Sequence, residues 1–327
     1  MKKNNLMLGS KIAKHFNKEY GIITYSGTLA IEIALKSIGL EKKSKILVSS
    51  NVCYSIINTI LKVNMIPVIK QPKNNLYFED EDINEIFKHQ EIDCILLVHQ
   101  FGLLNNIDVL KYKNMGIKII EDVAQAWSIN NKNQDYMIGK YSDVVVTSFG
   151  KTKPISYGIG GGLFFNDDVI LKNIDFCDNT SRETQCELLS YAYPLCEQIN
   201  YNALISLADK IVEEQRNNAI KYSDLLNQQK TIKYLDANLY TGNVWHRFPI
   251  WIDDGELYKK IVNLLKKSDL EYQLPHETEL IDLPLCKECI KINCIEKKDK
   301  QILLRTRNVN IETQLNILKN ILIHKIY

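Results

Sequence analysis

The chain lacks any apolar run approaching the ~20 residues of a bilayer-spanning helix, which argues against a helical membrane protein. Its first residues, Met1-Lys2-Lys3-Asn4-Asn5-Leu6-Met7-Leu8, open with the basic pair of a secretion signal. They lack the sustained apolar segment and the small-residue cleavage site that such a signal needs. A soluble, cytoplasmic protein is the expectation. Charge of one sign is also missing: 41 basic residues against 39 acidic leave a net charge of +2, so no global field draws the chain to nucleic acid or to an anionic membrane. The cysteines (Cys53, Cys94, Cys177, Cys186, Cys196, Cys286, Cys289 and Cys294) are scattered through a chain too long to need staples, so reduced thiols are expected. Cys286-Lys287-Glu288-Cys289 with Cys294 is the one metal-like spacing. No motif supplies its fourth ligand, since neither His276 nor Cys196 is placed, and the thiols read as loop residues with no metal. Internal repeats, low-complexity tracts and flexible linkers are absent too.

What is present is length and alternation. At 327 residues the chain exceeds what one core usually serves, and two domains are expected, residues 1–205 and 206–327. Short β-rich runs at Ile22 to Tyr25, Lys45 to Ser49, Ile66 to Lys70, Cys94 to Val98, Ile117 to Ile120, Asp143 to Thr147 and Gly162 to Phe165 alternate with helical patterns. The helical patterns are Leu29 to Ile38, Tyr54 to Val63, Asp82 to His89 and Ile107 to Tyr112. The fold class is therefore α/β, a mostly parallel sheet flanked by helices. A long helix, Ala203 to Leu226, leads into a smaller α+β unit built on Val244 to Ile252, Tyr258 to Leu265 and Ile311 to Ile323.

Chemistry gathers at the strand ends. The run Thr147-Ser148-Phe149-Gly150-Lys151-Thr152-Lys153-Pro154 follows an apolar strand and precedes Gly158, Gly160, Gly161 and Gly162. Glu121-Asp122-Val123-Ala124-Gln125 closes another strand, and Tyr25-Ser26-Gly27-Thr28 joins a strand to a helix. Read as an ordinary turn, Ser26 or Thr28 is an N-cap; the same geometry also points backbone amides and the positive dipole end at a phosphate. Asp122 with Gln125 reads either as a capping box or as a carboxylate and amide serving a ligand. Gly150-Lys151-Thr152 is no P-loop, because the first glycine of that motif is replaced by Val145 within the strand. Pyridoxal phosphate needs a lysine amine, a carboxylate at its ring nitrogen, donors for its phosphate and a partner for its phenolic oxygen. Lys151 or Lys153, Asp122, the Ser26-Gly27-Thr28 turn with Ser148, and Gln125 supply these in turn. A carboxylate 4 Å from a pyridinium is worth roughly 4 kcal/mol at an effective dielectric near 20.

Ser26-Gly27-Thr28, Glu121-Asp122-Val123-Ala124-Gln125-Ala126 and Ser148-Phe149-x-x-x-Lys153 with its trailing glycines resemble the signature set of the DegT/DnrJ/EryC1/StrS aminotransferases. The resemblance spans Leu8 to Asp167. It implies a fold-type I pyridoxal phosphate enzyme in which Lys153 is the Schiff-base lysine, Asp122 pairs with the ring nitrogen, Gln125 lies near the phenolic oxygen, and Ser148 and Thr28 contact phosphate. It places Cys53, with Tyr54 beside it, where the family stacks a ring on the cofactor. His99 fits the family pattern and reads as a satisfied strand-end histidine.

The same resemblance implies a homodimer that moves an amino group from glutamate to a nucleotide-linked keto sugar, in amino sugar and polysaccharide biosynthesis. A noncatalytic or regulatory cofactor-binding protein is the alternative. A sugar dehydratase, which carries histidine at the lysine position, is disfavoured by Lys153. The chain begins close to its first motif, so the family's N-terminal substrate segment is expected to be short. The asparagine loop that reaches the partner's phosphate has no clear match at Ser190 to Tyr201, where Asn200 is the candidate. Arg247, Arg305 and Arg307 are the candidates for substrate anions, because a guanidinium fork binds two oxygens at once.

Overall fold

In the computed structural model, which describes residues 2–127, 138–179, 200–240, 242–274, 280–294 and 300–323, two sheets of unequal size carry the molecule. Up to Asn179 the order is α1 (Lys2–Ala13), β1 (Tyr20–Thr24), α2 (Gly27–Ser37), β2 (Lys45–Ser49), α3 (Tyr54–Lys62), β3 (Ile66–Lys70) and α4 (Asp80–Phe87). It continues with β4 (Cys94–Val98), α5 (Val109–Asn114), β5 (Lys118–Asp122), β6 (Val144–Ser148), β7 (Gly161–Phe165) and α6 (Asp168–Asn179). The remainder gives α7 (Tyr201–Leu226), β8 (Lys233–Tyr234), β9 (Arg247–Ile252), α8 (Gly255–Leu265), β10 (Tyr272–Gln273), β11 (Ile290–Ile292), β12 (Lys300–Arg305) and α9 (Ile311–Ile323). Strands β2, β3 and β4 keep the expected bounds, while β1, β5, β6 and β7 shift by one or two residues, as strand ends do.

The large sheet has the order β1-β7-β6-β5-β4-β2-β3-β11. Pairs from β6 through β3 to β11 are parallel, whereas β7 runs antiparallel to both β1 and β6. Every residue of β4 is buried, because a central parallel strand is covered on both faces. One face packs under α2 and α3 through Ile31, Ile56 and Ile60, and the other under α4 and α5 through Ile83 and Tyr112. Parallel order places the carboxyl ends of β6, β5, β4, β2 and β3 on one edge, the usual ligand edge of open α/β sheets.

The small sheet, β10-β12-β9-β8, is antiparallel and shares a core with α7, α8 and α9 built on Trp245, Phe248, Tyr222 and Ile302. Leu76, Tyr77 and Leu103 from the loops after β3 and β4 belong to that core, so the strand-end loops of the large sheet are packed against the small one. The expected division at residue 205 meets an exception. Residues 280–292 return to the large sheet, where β11 pairs with β3 and Leu280, Cys286 and Cys289 are buried in the α2–α3 core. These thiols are therefore packed in the core. Apolar neighbours explain their burial, and no cluster of metal-ligating side chains occurs among the described residues.

Candidate active site

Asp122 ends β5 and is only 8% exposed. Its Oδ1 accepts the Ala124 amide at 2.9 Å. Burial pushes its carboxyl above the ordinary range, opposed by the Lys153 ammonium, the Ala124 N–H and His99 in that order. This is a carboxylate short of compensating positive charge. Behind it stands a polar network: His99 Nε2 lies 3.1 Å from Glu121 Oε2, and His99 Nδ1 accepts the Asn105 amide at 3.2 Å. Glu121 Oε1 in turn accepts from Gly139 N at 3.1 Å. His99 is thus the satisfied strand-end histidine that was expected. The capping box is not formed, because Gln125 turns away from Asp122: its Oε1 accepts the Phe101 amide at 3.0 Å and its Nε2 donates to Gln100 Oε1 at 3.0 Å.

The Ser26 hydroxyl caps α2 by accepting the Leu29 amide at 3.1 Å. Helix α2 opens at Gly27, whose amide and that of Thr28 precede the first intrahelical bond. Ser148, at the end of β6, lies against this turn. A methyl group added to Gly27 would stand 2.8 Å from Ser148 Cβ and 3.3 Å from its Oγ, and one added to Gly161 would stand 2.5 Å from the Gly27 nitrogen. Only glycine lets the helix terminus, the hydroxyl and the neighbouring strand approach so closely. The result is an anion cradle of backbone amides plus a serine hydroxyl.

Lys153 follows in a turn in which its amide donates to the Gly150 carbonyl at 3.0 Å. It is half-buried and electrostatically coupled to Asp122, whereas Lys151 is exposed. The peptide groups flanking Lys153 are held from a distance. The His246 ring donates to the Thr152 carbonyl, and Arg307 Nη1 donates to the Pro154 carbonyl. Burial holds the His246 imidazole well below its ordinary value, reinforced by Arg247, Lys153 and Arg307. Sequence reasoning gave His246 no role. Val244, Trp245 and His246 form the irregular segment that leads into β9, which begins at Arg247.

The three arginines all have partners within the chain. Arg247 Nη1 donates to the His246 carbonyl at 2.9 Å, and Arg305 forms an ion pair with Glu271 at the surface. Cys53 and Tyr54 are exposed at the start of α3, on the same sheet edge, with Tyr54 56% exposed. Asn200 caps α7 by accepting the Ala203 amide at 3.2 Å. Residues 190–199 of the expected partner-facing loop lie outside the described residues.

Pyridoxal phosphate fits what is present: an anion cradle that a single methyl group would fill, a buried carboxylate whose charged form burial disfavours, and a lysine electrostatically coupled to it. Comparison with known proteins agrees. Residues 2–289 match the DegT/DnrJ/EryC1/StrS aminotransferase family. The chain is 23% identical over 275 residues to GDP-perosamine synthase of Vibrio cholerae, covering 80% of this chain and 73% of that one. It is 27% identical over 175 residues to dTDP-3-amino-3,4,6-trideoxy-alpha-D-glucose transaminase of Micromonospora megalomicea, covering 50% of this chain and 46% of that one. The chain spans under half the length of this second relative. Among solved structures, Helicobacter pylori PseC, an aminotransferase of pseudoaminic acid biosynthesis, superposes with a TM-score of 0.77 at 15% identity, covering 98% of this chain and 90% of that one. The chain therefore belongs to the DegT/DnrJ/EryC1/StrS aminotransferase family and is a fold-type I, pyridoxal phosphate-dependent aminotransferase.

Proposed function

We propose that this enzyme transfers an amino group from an amino acid, glutamate, to a keto sugar carried on a nucleotide, and that it does so as a homodimer. The observation that carries the reading is the convergence of Lys153 on buried Asp122 beside the Gly27–Ser148 cradle. The names of the two relatives supply the substrate class, since both denote enzymes of nucleotide-linked amino sugars.

When bound, pyridoxal phosphate supplies the electron sink that lets a proton leave the α-carbon of the donor. The Gly27 and Thr28 amides and the Ser148 hydroxyl bind its phosphate. Asp122 holds the proton on its ring nitrogen, a task for which its buried, under-compensated carboxylate is suited. Gln125, its amide fixed by Phe101 and Gln100, would be the partner of the phenolic oxygen. Lys153 Nζ would provide the tethering amine and the base that moves the proton at the donor α-carbon. Arg247 is assigned to a substrate anion, whereas Arg305 is already neutralised by Glu271.

Borohydride reduction of the loaded protein followed by peptide mapping tests the core of this assignment. The adduct is expected on Lys153, and an adduct on Lys151 would overturn it. Glutamate added to the same protein should yield 2-oxoglutarate in one half-reaction, and a panel of nucleotide-linked keto sugars should then restore the starting spectrum. Retained cofactor with no glutamate conversion would favour a regulatory role instead.

A further inference from the structure

We propose that His246 and Arg307 are positioning residues for Lys153, holding the peptide carbonyls on its two sides and thereby fixing the direction of its amine. The inference rests on Lys153 being the cofactor-bearing lysine. The turn that carries Lys153 is closed at its base by Phe149 N to Gly160 O at 2.8 Å and Tyr157 N to Phe149 O at 2.9 Å. Nearer the lysine, Lys151 and Thr152 are exposed, and the backbone bond at Lys153 itself is the short-range one from its amide to Gly150 O at 3.0 Å. Four rotatable bonds separate a lysine amine from its backbone, so a turn free to tilt would spread that amine over several ångströms. The carbonyls of Thr152 and Pro154 are where tilt can be stopped, and His246 and Arg307 meet them there.

Both struts are themselves braced by α7. Gln215 Nε2 donates to His246 Nδ1 at 3.4 Å, which leaves the other ring nitrogen to donate to Thr152. Around Arg307, Glu214 Oε1 accepts the Asn308 amide at 2.9 Å, Asn218 Nδ2 donates to the Thr306 carbonyl at 2.9 Å, and Tyr222 Oη donates to the Arg305 carbonyl at 3.1 Å. These residues lie on successive turns of one helix. On the far side Gly102, at φ +76°, lets the chain at His246 approach so closely that a Cβ there would stand 2.6 Å from the His246 nitrogen. The lysine turn is thereby tied to the small sheet and the linking helix, not only to the strand that precedes it. A rival role for Arg307, binding a substrate carboxylate, predicts different effects: a raised KM for the donor and unchanged lysine chemistry.

The test uses the full chain with and without cofactor, as wild type, Arg307→Met, His246→Leu and His246→Gln. In the cofactor-free protein, hydrogen exchange of peptides covering residues 149–158 is expected to quicken about tenfold in Arg307→Met and His246→Leu, the scale of one lost hydrogen bond, with β4 and β5 unchanged. On addition of pyridoxal phosphate the same two variants should attach it to Lys153 about tenfold more slowly, and the pH midpoint of the bound absorbance should move. His246→Gln keeps an N–H donor and should recover both. Wild-type exchange and attachment in Arg307→Met and His246→Leu, with only the donor KM raised, would overturn the proposal. If Arg307→Met also loosens β4 and β5, His246→Leu decides by the same two readings. A wild-type protein with no adduct on Lys153 defeats the functional reading, and the positioning role falls with it. Adduct in wild type with unaffected variants defeats the positioning role alone.

Discussion

Asp122 is almost wholly shielded from solvent, and burial disfavours the charged form of its carboxyl more than Lys153 and the Ala124 amide favour it. Asp122→Asn is therefore expected to leave the protein folded and able to bind cofactor while slowing the glutamate half-reaction about 10²–10³-fold, the scale of one close charge pair at moderate dielectric. Stopped-flow absorbance after mixing with glutamate measures it, and a wild-type rate would reduce Asp122 to the acceptor of the Ala124 amide. Asp122 and Ser148 were legible because each ends a short apolar run, whereas Lys153 was set apart from Lys151 only by the family resemblance. The partners of the arginines were not legible. Arg307 meets Pro154 and Arg305 meets Glu271 only after the chain has folded back on itself, and no local pattern encodes such contacts.

At the scale of elements, two packing arrangements make separate expectations. Helix α2 meets β6 and β7 through Gly27 and Gly161. Gly27→Ala improves helix propensity yet places a methyl 2.8 Å from Ser148 Cβ, so the helix terminus and Ser148 must move apart and cofactor affinity should fall at least about tenfold. Titration of the cofactor-free variant with pyridoxal phosphate measures this, and undiminished affinity would remove the cradle from the site. The second arrangement is the turn after α1, where His15 is stacked on Trp127 at 5.8 Å between ring centroids. Burial lowers the His15 imidazole to about 4. The unfolded chain therefore binds this proton more readily than the folded one, so the stability attached to His15 is complete above its ordinary value near 6.5 and is lost as pH falls toward 4. Denaturant titrations at pH 7 and pH 4 should show His15→Leu losing about 3 kcal/mol less than wild type over that interval. Equal losses would place the ring in water. Strands β2 to β4 were readable as unbroken β-branched and aliphatic runs. Strand β11 was not, since Ile290-Lys291-Ile292 is too short for a periodicity and only its pairing with β3 makes it a strand.

For the whole molecule, Tyr25 at 43% and Tyr54 at 56% exposure leave aromatic surface open at the strand-end edge beside the cofactor residues. A second copy related by a two-fold axis would cover both edges at once. Sedimentation at assay concentration is expected to show a dimer, and dilution below its dissociation constant should abolish activity; a fully active monomer would return every contact to one chain. The smaller α+β unit after the long helix was expected from the sequence, but the return of residues 280–292 to the large sheet was not, because a segment's destination is set by which edge remains unfilled. That return has a temporal meaning. Strand β3 is made early, and its neighbour β11 follows about 220 residues later, so at roughly 5–20 residues per second the edge of β3 waits on the order of 10–40 s during synthesis for the strand that closes it. Throughout that interval a nascent chain presents an apolar strand edge to its surroundings, and crowded expression should favour mispairing at Ile66–Lys70 over loss of the site itself.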